Sequence, residues 1–187
     1  MTTKAKLVST IAAFCLVLAL MVVGVLAASS ATVQLGGSLS FTASDVVATV
    51  KVSATGCTET INGEGDYTKS FTSADATAEW TKENINLTFS NKTTDIVITI
   101  TIKNDATDRA LTVTPTVPTV TSNQNVSITS VYSYGETSNE TVKATELDVA
   151  AGQTVTYKIT LHIMDPNNGV NPTSTSWDAG FALKNAD

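Results

Sequence analysis

Most of the chain after residue 31 alternates between apolar and polar residues with a period of two, the pattern of a strand with one buried face. Turn residues such as Asn, Asp, Gly and Pro separate these runs, and no stretch between them has the period of a long amphipathic helix. The sequence therefore predicts an all-β fold: a two-sheet antiparallel sandwich, jelly-roll or Ig-like, with nine or ten strands. The clearest runs are 32–41, 45–53, 85–90, 96–103, 126–134, 155–163 and 177–183.

Three stretches carry weaker patterns. Residues 67–71 are compatible with a strand, residues 74–80 with a single turn of helix, and residues 141–147 with a further strand. Trp80, at the end of the second stretch, is expected to be a core or sheet-end aromatic. The all-β prediction does not depend on any of these three stretches.

The run of alternate isoleucines from Ile96 to Ile102 is expected to form a central, buried strand, since exposure would make it an aggregation hazard. Residues 110–114 follow it after a turn, so they are expected to return as its hairpin partner. Pro115 and Pro118 cannot donate a ladder hydrogen bond, which places their segment on a sheet edge or in a loop.

The N-terminus reads as an export signal. Lys4 and Lys6 precede twenty-one uncharged residues, 7–27, and small residues follow them. This is the layout of a secretory signal peptide, expected to form a hydrophobic helix and to be cleaved between Ala27 and Ala28, with cleavage after Ala31 as the alternative. Such a run is also long enough to span a bilayer as an uncleaved anchor. Either way, residues 28–187 are expected outside the cytoplasm as one β-sandwich domain. Residues 7–27 would be the only membrane contact, and only if they are not cleaved.

Charge and cysteine content limit the possible partners and the possible disulfides. The formal charge is −6 and Arg109 is the only arginine, a composition unsuited to nucleic acid phosphates. Cys15 lies inside the apolar run, where a small apolar residue fits the signal segment better than a lipid attachment site. Cleavage would leave Cys57 alone, so no disulfide within the mature chain is expected.

No catalytic or cofactor motif is present. His162 is the only histidine, and it falls on the predicted solvent face of its strand without the partners that a zinc or serine hydrolase motif would supply. We therefore expect no enzyme activity and no cofactor. The best metal candidate is a weak calcium site at Asp165, Asn167 and Asn171, whose oxygens suit a hard cation. The alternative for that segment is a simple turn between strands.

Four stretches together carry a resemblance: VQLGGSLSFTASD at 33–45, Trp80 before the strand INLTF at 85–89, ITIKND at 100–105, and AGQTVTY at 151–157. In this respect the chain resembles the small exported TasA- and camelysin-like proteins of Gram-positive bacteria. The resemblance implies a jelly-roll sandwich. For fibre-forming members, it implies donor-strand assembly, in which the N-terminal strand of one subunit completes a sheet of the next.

The residues offer a candidate for such a strand. Val33, Leu35, Leu39 and Phe41 share one face directly behind the cleavage point. Burying all four is worth about 6–12 kcal/mol, against an association cost of about 4–15 kcal/mol. Pairing of this strand within its own domain is the alternative.

Two functions follow from this sequence. The first is an exported, non-enzymatic structural protein of the cell surface or matrix, which associates with itself or with other surface proteins, with fibre formation through the N-terminal strand as one form of that association. The second is an adhesion or ligand-binding module that uses loops 62–66 and 165–171. Exposed aromatics at Trp80, Trp177, Tyr132 and Tyr134 would favour the second function, and buried ones would count against it.

Overall fold

The computed structural model describes residues 32–60, 67–72, 78–90, 93–121, 126–164 and 176–186. These residues contain twelve strands and no helix, so the all-β prediction is confirmed with more strands than expected. The strands are β1 (Thr32–Ser44), β2 (Ala48–Thr55), β3 (Thr58–Thr60), β4 (Tyr67–Phe71), β5 (Ala78–Ser90), β6 (Asp95–Asn104), β7 (Leu111–Val120), β8 (Val126–Tyr134), β9 (Thr137–Thr141), β10 (Leu147–Val149), β11 (Thr154–Ile163) and β12 (Ser176–Asn185).

The strands form two six-stranded sheets that make a sandwich. The first sheet has the order β10-β7-β12-β1-β5-β3, and the second has the order β4-β2-β6-β11-β8-β9. Among the described strands, β1 and β12 form a parallel pair, whereas the other pairs are antiparallel. The first and last strands of the sandwich are therefore neighbours in one sheet.

The core lies between the sheets and follows the sequence alternation. In β6 the side chains of Ile96, Ile98, Ile100 and Ile102 are buried, and β11 shows the same pattern from Val155 to Ile163. β6 lies between β2 and β11, so the prediction of a central buried strand is confirmed. Inward-facing residues of both sheets exclude water from a single apolar layer.

Strand β7 corrects one prediction and confirms another. Residues 110–114 do not return beside β6; β7 lies in the other sheet, between β10 and β12. The edge prediction for Pro115 and Pro118 is confirmed, because β10 pairs only with residues 111–113 and leaves the rest of that side open. The β7–β12 register also shifts between Asp178 and Gly180, opposite Pro118. A bulge of this kind accommodates a residue that cannot donate to the ladder.

Two weaker predictions also need correction, and a third is confirmed. Residues 78–80, expected in a helical turn, belong to strand β5, because they pair with β1. Most of 141–147 is not a strand; β9 ends at Thr141 and β10 begins at Leu147. The strand prediction for residues 67–71 is confirmed as β4.

Several predictions lie outside the described residues. They are the leader 7–27 with Cys15, the cleavage residues Ala27 and Ala28, the loop 62–66, and the calcium candidates Asp165, Asn167 and Asn171 with the rest of loop 165–171. In the part of the chain that the structure describes, no helix has the length and apolar character needed to cross a membrane.

Candidate functional site

Strand β1, the candidate donor strand, lies in the middle of the first sheet. It pairs in parallel with β12 on one side and antiparallel with β5 on the other. Leu35 and Leu39 are each 0% exposed and Phe41 is 1% exposed, so three of the four apolar residues singled out in the sequence are fully buried. The side chain of Val33 is not among those that the structure describes. The structure thus shows β1 completing its own sandwich.

Phe41 connects β1 to the aromatic part of the core. Its ring stacks on Phe181 of β12, with centroids 5.2 Å apart, and lies 5.5 Å from the ring of Trp80 on β5. Phe181 in turn contacts Tyr157 of the opposite sheet at 4.9 Å. Aromatic pairs at these distances add to the free energy gained from area burial alone. Phe41 therefore anchors β1 to both of its neighbours and to the second sheet.

Gly37 is the point of closest approach between β1 and β12. A Cβ atom at this position would lie only 2.1 Å from Nε1 of Trp177, its register partner. Trp177 is fully buried, and its indole N–H has no hydrogen-bond partner among the described residues. A strand that occupies this place must therefore carry glycine opposite Trp177. The β1–β5 register shifts between Gly37 and Leu39, as adjacent glycines in a strand allow. The local sequence does not reveal that Gly37 must lack a side chain, because that need comes from Trp177 on β12.

The outer face of β1 is polar and borders a shallow depression of about 180 Å³. The Ser38 hydroxyl donates to the Asp178 carboxylate at 2.6 Å. Gly180 forms the floor of the depression, and a Cβ added there would lie 3.0 Å from the Ser40 hydroxyl oxygen. Sequence reasoning did not find this feature, because it depends on which strand lies beside β1.

His162 lies on the solvent face, as predicted, but it has a partner that the sequence did not reveal. Asp95 is its register neighbour on β6, and the two side chains are joined at 2.7 Å through Nδ1. Ser127 lies opposite His162 on its other side. Within the described residues, Ser127 makes no hydrogen bond to the imidazole, and both His162 and Asp95 are about half exposed. Asp95, His162 and Ser127 therefore lack the contact between serine and histidine that a serine hydrolase requires.

The described residues contain no group of three or more side chains suited to a metal ion. Cys57 is half-buried, packs against the core and is not in a disulfide. The aromatic side chains that the structure describes are all buried or half-buried: Trp177 and Tyr157 lie in the core, while Trp80, Tyr132 and Tyr134 pack against it. None offers an exposed stacking platform.

Comparison with known proteins adds little to this two-sheet sandwich. No protein-family model matches the chain, and no curated protein matches it. Among solved structures, a mutant of the major pilin from Streptococcus pyogenes is similar over 80% of this chain and 48% of that one, at 9% sequence identity and a TM-score of 0.23. The chain thus spans about half the length of that pilin. A TM-score this low does not establish a shared fold, so no property of the pilin is transferred.

Proposed function

We propose that this chain is an exported structural protein of the cell surface or extracellular matrix, whose copies join by exchanging strand β1. The observation that carries the proposal is the position of β1. It is the first described strand, it follows the apolar leader in the sequence, and it fills the centre of a sheet with fully buried side chains. Once the leader is cleaved, β1 is an N-terminal strand that can leave and be replaced without moving any other element.

Exchange keeps the contacts of β1 unchanged. Without β1, the facing edges of β5 and β12 would carry unpaired backbone groups and an apolar groove lined by Phe181 and Trp177. The β1 strand of another copy has the same glycine, leucines and phenylalanine in the same register, so it restores every contact. Swapping identical elements is therefore a route to assembly with a low free-energy cost. When each copy donates to one neighbour and accepts from another, and the rotation between copies does not close a ring, the contact produces an open chain.

A disulfide trap tests the exchange. Thr42 and Ala182 are exposed register partners on β1 and β12, and neighbouring strands bring Cα atoms within disulfide range. The variant would carry Thr42→Cys and Ala182→Cys with Cys57→Ser. If β1 is exchanged, oxidation of the secreted, assembled protein yields a ladder of covalent multimers on a non-reducing gel. Electron microscopy of the same sample should show filaments.

The matched control places cysteines at Thr101 and Thr156, register partners on β6 and β11, again with Cys57→Ser. These strands belong to the same body whether or not β1 is exchanged, so this variant should give a single monomer band even from filaments. A monomer band from the Thr42–Ala182 variant in a filamentous sample would rule out exchange. If no filaments form under any condition, the structural role itself fails.

The adhesion function receives no comparable support. Sugar-binding surfaces commonly rely on exposed aromatic rings, and the described side chains of Trp80, Tyr132, Tyr134 and Trp177 are buried or half-buried. By the criterion set from the sequence, this burial counts against an aromatic binding platform.

A further inference from the structure

The exposed charges that have no ion-pair partner differ in sign between the outer faces of the two sheets. We call the outer face of the first sheet the acidic face, and it includes Glu79 and Asp178. We call the outer face of the second sheet the lysine face, and it includes Lys51 and Lys158. All four side chains are exposed, and none takes part in an ion pair within the described residues.

The other charges on the lysine face are already paired. Lys103 contacts Asp105 at 2.5 Å, and Asp95 forms a hydrogen bond of 2.7 Å with His162, which offsets the carboxylate charge only when the imidazole is protonated. Lys51 and Lys158 lie on β2 and β11, each opposite a threonine of the intervening strand β6. They therefore project from a surface of hydroxyl groups without a local carboxylate partner.

The acidic face shows the converse arrangement. Lys184, which lies on this face, pairs with Glu146 at 2.7 Å. Asp148 accepts a hydrogen bond from Thr112 at 2.6 Å, and Asp178 accepts one from Ser38 at 2.6 Å. Hydroxyl donors satisfy these carboxylates only in part and leave their negative charge uncompensated. The face therefore favours an incoming cation.

The depression over Gly180 has the shape and chemistry to receive a lysine side chain. It holds about 180 Å³, the Asp178 carboxylate lies at its rim, and the hydroxyls of Ser38, Ser40 and Thr116 line it. Val117, 46% exposed, supplies an apolar wall. A lysine combines an aliphatic stem with an ammonium group, so the stem suits Val117 and the ammonium suits Asp178.

We propose that the lysine face of one copy docks on the acidic face of another, with Lys158 seated beside Asp178 in the depression over Gly180. The two surfaces differ, so the contact is heterologous and each copy can both receive and donate one. This is a lateral contact, distinct from exchange of β1, and it rests on the proposed structural role.

The size of the surfaces indicates a weak contact. The four long strands of each sheet, with about eight residues along each, give a face of about 20 by 26 Å, or roughly 500 Å². A standard stable interface buries about 800 Å² per partner. A single contact should therefore be weak and sensitive to salt, whereas many contacts in register between two filaments would add up.

The test uses secreted protein in which the Thr42–Ala182 disulfide has closed within one chain, so that β1 cannot be exchanged. Sedimentation equilibrium measures self-association at about 0.02 M and about 0.5 M salt, where screening differs greatly. We expect association only at low salt. Asp178→Lys and Lys158→Asp should each weaken it by roughly fivefold to tenfold, and the double variant should restore it.

Lys143→Asp is the matched control, because it makes the same charge change at an exposed lysine between β9 and β10, outside both faces. Circular dichroism would confirm that each variant is folded. A monomer at low salt, a double variant as weak as the single ones, or an equal loss in Lys143→Asp would each overturn the docking proposal. None of these outcomes bears on the filaments or the covalent ladder that test strand exchange, so the two proposals fail separately.

Discussion

At the scale of single residues, Gly37 and Asn104 have roles that follow from the paired strands and not from the local sequence. Gly37 is required because the indole of Trp177 occupies the space of a side chain. Asn104 is 1% exposed, and its amide nitrogen donates to the carbonyls of Arg109 and Val149. Its side-chain oxygen accepts from the backbone N–H of Ala106 at 3.0 Å. It thereby joins the end of β6 to the turn that follows and to β10.

Replacing Gly37 should be far more damaging than replacing its neighbour. Gly37→Ala places a methyl group 2.1 Å from Nε1 of Trp177, so the strand or the indole must shift. Overpacking of this kind costs about 1–3 kcal/mol. Gly36→Ala is the matched control, since its new Cβ would meet only Asn86, at 3.9 Å. Urea unfolding of both variants measures the difference, and equal stabilities would show that Gly37 is not a packing constraint.

Truncating Asn104 should leave buried backbone groups without partners. Asn104→Ala removes three hydrogen bonds of 2.9–3.0 Å, of which the one to Val149 is buried and the other two are partly buried. Each unsatisfied buried group costs about 1–3 kcal/mol, so we expect a loss of at least 2 kcal/mol in the free energy of unfolding. Thr121→Ala, an exposed site that also bonds a backbone carbonyl, should cost much less. Comparable losses at the two sites would contradict the role of Asn104.

At the scale of strands, the sequence was sufficient to locate each strand that has one buried face and one solvent-exposed face. The alternation located β1, β2, β6, β8, β11 and β12, because burial imposes the same period on the residues. It could not assign a strand to a sheet, since both sheets bury one face in the same way. This is why residues 110–114 were wrongly paired with β6. The start of β5 was missed because pairing with β1, and not local pattern, extends it.

The buried face of the candidate site was predicted from the sequence. The contact of Trp177 with Gly37 and the depression beside Asp178 were not predicted, because both depend on which strands become neighbours.

Hydrogen exchange should rank the strands by their position. β11 is paired along its length by β6 and β8, so its amides should exchange only through global unfolding. The three-residue edge strands β3 and β10 should exchange through local fraying. Peptide-resolved mass spectrometry measures this order, and β10 protected as strongly as β11 would contradict it. If β1 is released during assembly, its amides should exchange at a lower free energy than those of β11.

At the scale of the whole molecule, the sandwich is an acidic body whose stability depends on pH partly through Asp105. Partial burial raises the pKa of this carboxyl. The hydrogen bonds from Lys103 and Thr49 and the positive charge of Lys103 lower it by more, so the pKa lies below its usual value. A depressed pKa in the folded state means that the ionised group stabilises the fold. That contribution is present above the ordinary pKa of an aspartate and is lost as the pH falls through the folded value.

Asp105→Asn should therefore flatten the acid limb of the stability curve. The variant should be less stable than the wild type at about pH 6, and the gap should close as the pH falls to about 3. Lys103→Met should give a similar flattening, because it removes both the ion pair and the charge that lower the pKa. Chemical unfolding at several pH values measures the gap. A gap that stays constant with pH would show that Asp105 acts only through packing.

The parallel pairing of β1 with β12 also determines how the sandwich responds to tension. Nine positions are paired in register, from Gly36 with Ser176 to Ser44 with Lys184. Because the two strands run in the same direction, pulling residue 32 away from residue 185 slides one strand along the other. All the hydrogen bonds between them are then loaded together in shear, and none can open ahead of the rest as in unzipping. Force spectroscopy between these two residues should therefore record one high rupture force, the mechanical behaviour that a load-bearing surface protein needs.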